Sequence, residues 1–262
     1  MRKRPLAVSG FFYAVFCLAW KVNLFVLSHL QFAFYQRRSV LFLIVILAGG
    51  FTGCSSTNKA YYDTIQLALA DNDVSLSLAE VQASKADLMQ VTRGQRDTVV
   101  LALAFIESEL YKWVSADHAL LVAHHGVVTE TQGLEHDLLY VSELEANPFK
   151  TNQFFAQWNY RVDILGLGYG LPVQTQWRVD GEQTLNVLEH ELAVIHVVQD
   201  VTFPRTSPFW ESGLSWQNEY WIDSNTKQLL RSTQKLFPDS EWLDMVYLSR
   251  AARLIASSEG EE

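Results

Sequence analysis

Seven tryptophans stand beyond residue 100 of this 262-residue chain, and some lie beside side chains suited to sugar hydroxyls. Phe209-Trp210-Glu211 and Trp216-Gln217-Asn218-Glu219-Tyr220-Trp221 form such a cluster. Ring faces take up the C–H side of a sugar, and adjacent amides and carboxylates take up its hydroxyls. Trp210, Trp216, Tyr220 and Trp221 are therefore candidate glycan contacts. Pro204, Pro208 and Gly213 mark the stretch around Trp210 as loop. The competing reading is that these rings fill a β core, where aromatics contribute most of the buried area.

Other chemistry is less well supported. His118, His124, His125 and His136 fall close together, and Glu189-His190-Glu191 precedes His196. Two positions six apart on a strand share a face but sit roughly 20 Å apart, too far for one metal. These are read as turn and rim histidines, and neither a metal nor a cofactor is expected. Asp117, Asp163, Glu182, Glu219 and Asp223 could serve a glycosidase, which needs two carboxyls roughly 5–10 Å apart. No local pattern pairs them, and beyond the leader there is no Gly-x-Ser-x-Gly elbow. Gly166-Leu167-Gly168-Tyr169-Gly170 lacks the spacing and following helix of a dinucleotide loop, so it reads as a bend.

Cys54 is the most informative single residue. It follows Phe51-Thr52-Gly53, an uncharged run from Ser39 to Gly50, and the basic pair Arg37-Arg38. A basic start, an apolar stretch and small residues describe an export signal. Cys directly after that point resembles the lipobox of bacterial lipoproteins. The resemblance implies cleavage before Cys54 and acylation of its thiol and new amino group. Two or more acyl chains hold a protein stably on a membrane, at about 0.8 kcal/mol per buried methylene. Ser55, where Asp would signal inner-membrane retention, implies transfer to the outer membrane. The alternative is a membrane-spanning helix, for which the run from Ser39 to Phe51 is short. Residues 1–36 carry a second apolar stretch behind Arg2-Lys3-Arg4, read as an over-long start or an extra transmembrane segment.

Charge divides at the same point. Residues 1–54 hold six Lys or Arg and no acid; the remainder has 14 basic against 29 acidic residues, a net of −15. An acidic body argues against nucleic acid as a partner. Both cysteines, Cys17 and Cys54, precede the body, so disulfides contribute nothing to it.

The body reads as strands separated by turns every eight to ten residues: 99–106, 110–114, 119–123, 127–131, 159–164, 171–179, 183–187, 192–198, 219–223 and 228–234. His125-Gly126, Asp180-Gly181 and Ser224 to Lys227 are expected turns. Asp63–Ala70 and Asp239–Ile255 are expected helices. The expectation is a mainly β, single antiparallel β-barrel-like or sandwich domain with one or two short helices after an N-terminal hydrophobic leader. The boundaries are a leader over 1–53, a lipidated tether over 54–62, one β-rich domain over 63–256 and a disordered tail over 257–262.

Several short segments carry a family likeness. After the lipobox come Asp63 to Leu69, Trp113-Val114-Ser115-Ala116-Asp117, Thr131-Gln132-Gly133-Leu134, Asn218 to Asp223, and Leu230-Arg231-Ser232-Thr233-Gln234. Their order resembles the YjbF/GfcB (YmcC-like) lipoproteins linked to exopolysaccharide and capsule production, across nearly all of 54–250. The resemblance implies a β-barrel-like outer-membrane lipoprotein, facing the periplasm, that assists polysaccharide secretion. It brings no catalytic set, so a non-enzymatic role is expected. The expected partners are the membrane, through the lipid, and polysaccharide or export-machinery proteins. A glycan-processing hydrolase and a protein–protein scaffold are the alternatives.

Overall fold

The computed structural model describes residues 75–259. Cys54, the leader, the tether, the expected helix over 63–70 and the last three residues lie outside them. The described chain forms helix α1 (Leu78–Ala83) and strands β1 (Leu88–Arg93), β2 (Val99–Glu107), β3 (Leu110–Val114), β4 (Leu120–His124), β5 (Val127–Gln132) and β6 (Leu138–Val141). A 3₁₀ turn (Leu144–Ala146) and the short α2 (Pro148–Thr151) follow. Then come β7 (Tyr160–Ile164), β8 (Gly168–Val187), β9 (His190–Phe203), β10 (Leu214–Asp223), β11 (Leu229–Gln234), β12 (Leu243–Val246) and α3 (Leu248–Glu259).

All twelve strands join one antiparallel sheet in the order β5-β4-β3-β2-β1-β12-β11-β10-β9-β8-β7-β6. The sheet curls into a nearly closed barrel, the first of the two expected architectures. At the seam the Leu138 amide donates to Thr131 Oγ1 at 2.9 Å, and that hydroxyl donates to Asp137. A side chain thus links the end strands β5 and β6.

Two cores explain the apolar runs. Inside the barrel, Met89, Leu101, Trp113, Trp158, Trp177, Val197, Phe203, Tyr220 and Met245 are buried together. Outside it, α1 and α3 cover Leu88, Val100, Ala102, Leu185, Val187, Val194 and Leu230. Strand β2 is apolar at consecutive positions because both of its faces are covered there.

Gln234 crosses the interior from β11 to the β4–β5 hairpin. Its amide accepts from Val128 N at 3.1 Å and donates to Gly126 O at 2.8 Å and Ser232 Oγ at 3.0 Å. Gly126 (φ +98°) sits so close to β11 that a Cβ there would lie 2.2 Å from Leu229 Cδ2.

Three expectations are corrected. Asp180-Gly181 is not a hairpin turn; β8 continues through it with a register shift between Val179 and Gly181. The flexible pair makes a bulge, and the turn falls at Leu188-Glu189, both at positive φ. The helix expected over Asp239–Ile255 begins only at Leu248. Leu243–Val246 is β12, paired with β1 and β11, whose facing edges would otherwise be open. Helix α3 also runs through Glu259, into the segment expected to be a tail.

Gly126→Ala is expected to lose roughly 1–3 kcal/mol through overpacking against Leu229. Gly170→Ala is the control for backbone strain alone, since Gly170 has φ +61° and nothing near its Cβ position. Equal losses in chemical denaturation would show that the close approach to β11 is unimportant.

Candidate functional site: a groove at one end of the barrel

The antiparallel connections put the loops 94–98, 115–119, 133–137, 204–213 and 235–242 at one end of the barrel. Two adjoining hollows of about 320 and 220 Å³ lie there and share Arg93, Arg96, Leu134 and Leu243. Their floor is apolar, from Val91, Leu101 and Leu121. Their walls are polar and held by local bonds. The Ser115 hydroxyl donates to Asp117 and accepts from Ala119 N, closing the β3–β4 turn. That bond holds the Asp117 carboxyl below the usual aspartate range. Asp137 accepts from Gly133 N and Leu134 N, ordering the next loop. Glu241 pairs with Arg93 at 3.0 Å and Arg96 at 3.3 Å. The Ser240 hydroxyl accepts from Leu236 N and Phe237 N.

Other groove side chains are uncommitted. Asp97, Gln132, Glu135 and Asp239 make no hydrogen bond or ion pair within the described residues. An apolar floor with a few converging unpaired polar groups is the usual make-up of a small-ligand site. Five carboxylates (Asp97, Asp117, Glu135, Asp239, Glu241) against two guanidiniums favour a neutral polyhydroxylated ligand over an anionic one.

The four aromatic residues singled out from sequence lie elsewhere, and strand alternation divides them. Trp216 and Tyr220 share one face of β10, and Trp221 takes the other. Tyr220 is fully buried in the barrel, its hydroxyl donating to Gln199 Oε1 at 2.9 Å. Burial pushes that phenol well above the ordinary tyrosine range. Trp210 is buried edge-on against Phe203. Trp216 stacks on Phe203, with Lys235 Nζ 5.6 Å from its ring centroid. Its Nε1 donates to Asn218 Oδ1 and Lys235 O.

Trp221 faces outward but is sandwiched. His196 stacks on it with centroids 5.0 Å apart, and the Arg231 guanidinium lies 5.0 Å from its centroid. Both are its cross-strand partners on β9 and β11. The ladder continues on both sides. His196 Nδ1 lies 3.2 Å from Asp180 and Nε2 3.1 Å from Glu219. Arg231 makes a two-pronged pair with Asp244 at 2.8 and 3.0 Å. The principal ring contacts of all four residues are thus to protein.

Of the five carboxylates considered for hydrolysis, only Asp117 reaches the groove. Glu219 is held by His196, Asp163 accepts from Gly170 N, and Asp223 caps the β10–β11 turn.

Two of the clustered histidines do meet a carboxylate in the fold. Glu109, His124 and His125 place ligand atoms within 4.8 Å of one another at two adjoining hairpin turns. The buried Asn147 opposes metal binding there. Its Oδ1 accepts from Phe149 N, so its amide nitrogen donates to His124 O at 2.9 Å and faces His124 Nδ1 at 3.2 Å. His124 therefore carries its hydrogen on Nε2, pointing at Glu109, with no lone pair there for an ion. Lys150 also holds the Glu109 carboxylate, at 2.6 Å.

Sequence reasoning missed most of the groove because its residues come from loops remote from one another in the chain. One signal was present. Two segments that carried the family likeness, Ser115 to Asp117 and Thr131 to Leu134, line the same hollow.

Comparison with known proteins agrees with the family likeness and the fold. A sequence model of the family described as "Group 4 capsule polysaccharide lipoprotein gfcB, YjbF" matches residues 62–248. This chain belongs to that family. It is 26% identical over 215 residues to the uncharacterized lipoprotein GfcB of Escherichia coli K12, covering 80% of this chain and 98% of that protein. It is 28% identical over 218 residues to the uncharacterized lipoprotein YjbF of the same organism, covering 78% and 93%. The crystal structure of the hypothetical lipoprotein YmcC from E. coli K12 superposes with a TM-score of 0.60 at 26% identity, covering 71% of this chain and 94% of that one.

Burial, aided by His125, holds the His124 imidazole below its usual pKa. The folded state thus favours the neutral ring, while the unfolded ring takes a proton near pH 6.5. This contribution is complete above that pH and declines as the pH falls through it. His124→Gln should flatten the fall in the urea midpoint between about pH 7 and 5; an unchanged slope would assign the titration to another group.

Proposed function

We propose that this family member is a non-enzymatic lipoprotein of the outer membrane, held by acylated Cys54 and facing the periplasm, that assists capsule or exopolysaccharide export. The family match over residues 62–248, following directly on a lipobox, carries this reading. The barrel-end groove is its contact with the polymer. Its apolar floor suits sugar C–H faces, and Asp97, Gln132, Glu135 and Asp239 suit hydroxyls.

Two measurements test it. Mass spectrometry of membrane-extracted protein should find Cys54 as the acylated first residue, and Cys54→Ser should abolish both processing and membrane partition. Asp97→Ala combined with Asp239→Ala should lower polymer secretion by about tenfold, the loss of two hydrogen-bonded contacts at the weak end of their range. Both residues are exposed, so stability should hold. Trp221→Ala should behave oppositely, lowering stability while the groove still binds oligosaccharide. Secretion that survives the double variant but fails with a lost co-purifying export protein would favour the scaffold reading. Hydrolysed polymer with purified protein would favour the hydrolase.

A further inference from the structure

The end of the barrel opposite the groove differs from the rest of this acidic body. Phe105 and Ile106, at the β2–β3 hairpin, are 53% and 55% exposed at consecutive positions. A register shift between Leu103 and Phe105 accompanies this break in strand alternation. Ile106 and Tyr111 line a hollow of about 440 Å³ together with Lys227, Arg250 and Arg253. Lys112 Nζ lies 4.8 Å from the Phe105 ring centroid.

The balance of charge in that hollow is positive. Asp87 is the one carboxylate lining it, against Lys227, Arg250 and Arg253, and it is engaged by Arg253 at 2.6 Å. Of the other acids at this end, Glu107 is held by Lys112 and Glu109 by Lys150, while Glu143 and Glu189 stand exposed further from the hollow. Arg250 and Lys227 have no carboxylate partner among the described residues. Arg250 donates to Leu229 O at 3.0 Å and lies over the Tyr247 ring, and Lys227 donates to Ser224 O. Adjacent exposed apolar side chains beside unneutralised cations are the make-up of an interfacial membrane contact.

The course of the chain points the same way. Strand β1 begins at this end, and residues 75–80 lie along the tip of the β8–β9 hairpin, also at this end. From Cys54 to Ser75 is 21 residues, at most roughly 70 Å when extended. Such a tether confines the barrel near a bilayer without orienting it.

We propose that this end docks on a phospholipid bilayer, with Phe105 and Ile106 in the interface and Lys227 and Arg250 at the phosphate headgroups. The inference rests on the lipid-anchor reading of Cys54. It turns the groove toward the aqueous side.

The body contains no thiol beyond Cys54, so one introduced cysteine labels a single site. Mature acylated protein carrying Ile106→Cys or Phe209→Cys is labelled with a nitrobenzoxadiazole dye. Each is reconstituted in phosphatidylethanolamine vesicles with phosphatidylglycerol and bilayer-embedded doxyl quenchers. Position 106 should be quenched at least about twofold more than position 209 at the groove end. The difference should shrink with Lys227→Gln, or when phosphatidylglycerol is replaced by phosphatidylcholine. Equal quenching at both positions, in protein whose mass confirms acylation, overturns the docking and leaves the anchor standing. Protein that lacks acylation overturns the anchor and this contact with it.

Discussion

The barrel depends on one side-chain amide. Gln234 reaches across the interior and satisfies a donor and an acceptor on the β4–β5 hairpin that no ladder serves. Buried backbone groups without partners cost about 1–3 kcal/mol each, so this link fixes where the first hairpins of the sheet sit relative to β11. Gly126 is the counterpart of that link, because a Cβ there would displace the buried Leu229 methyl. The seam at Thr131 follows from the same placement, since β5 meets β6 only if its hairpin is held inward.

With the walls fixed, the barrel has two unlike ends. The loops of one end make a groove with an apolar floor and uncommitted polar groups. The hairpin turns of the other end are tight, with Ser108, Glu109, His125, Leu188 and Glu189 at positive φ without being glycine, and the long β6–β7 connection with α2 packs beside them. Such turns match the twist of adjoining strands and leave little chain to spare.

Much of the fold was legible in the residues. The apolar runs of β2, β4 and β5 and the alternation in β7 and β10 gave their strands directly. The His125-Gly126 and Ser224–Lys227 turns stand where expected. β1, β6 and β12 were missed, β12 because Leu243–Val246 lies inside a segment that reads as helix. Asp180-Gly181 misled because the same flexible pair serves a bulge or a turn, and only the covering of Leu185 and Val187 by the helices decides between them. The aromatic cluster was legible as chemistry but not as location. Residues 216, 220 and 221 are close in sequence, yet β10 sends them to opposite faces. What occupies their ring faces comes from Phe203, His196, Arg231 and Lys235, which no local pattern connects to them. The groove was legible only as two family segments, since the intervening strands had to be folded before Arg93 could meet Glu241.

The exterior ladder from Asp180 through His196, Glu219, Trp221 and Arg231 to Asp244 has a wider meaning. Barrels that live in lipid turn greasy residues outward and keep water or polar groups within. This one is the reverse: its lumen is filled with indoles and aliphatics, and its flank is studded with ions. Immersed in hydrocarbon, that flank would be stripped of solvent with nothing gained in return. The sheet therefore has no wall to offer a membrane, and whatever grip the molecule keeps on one must come from its extremities.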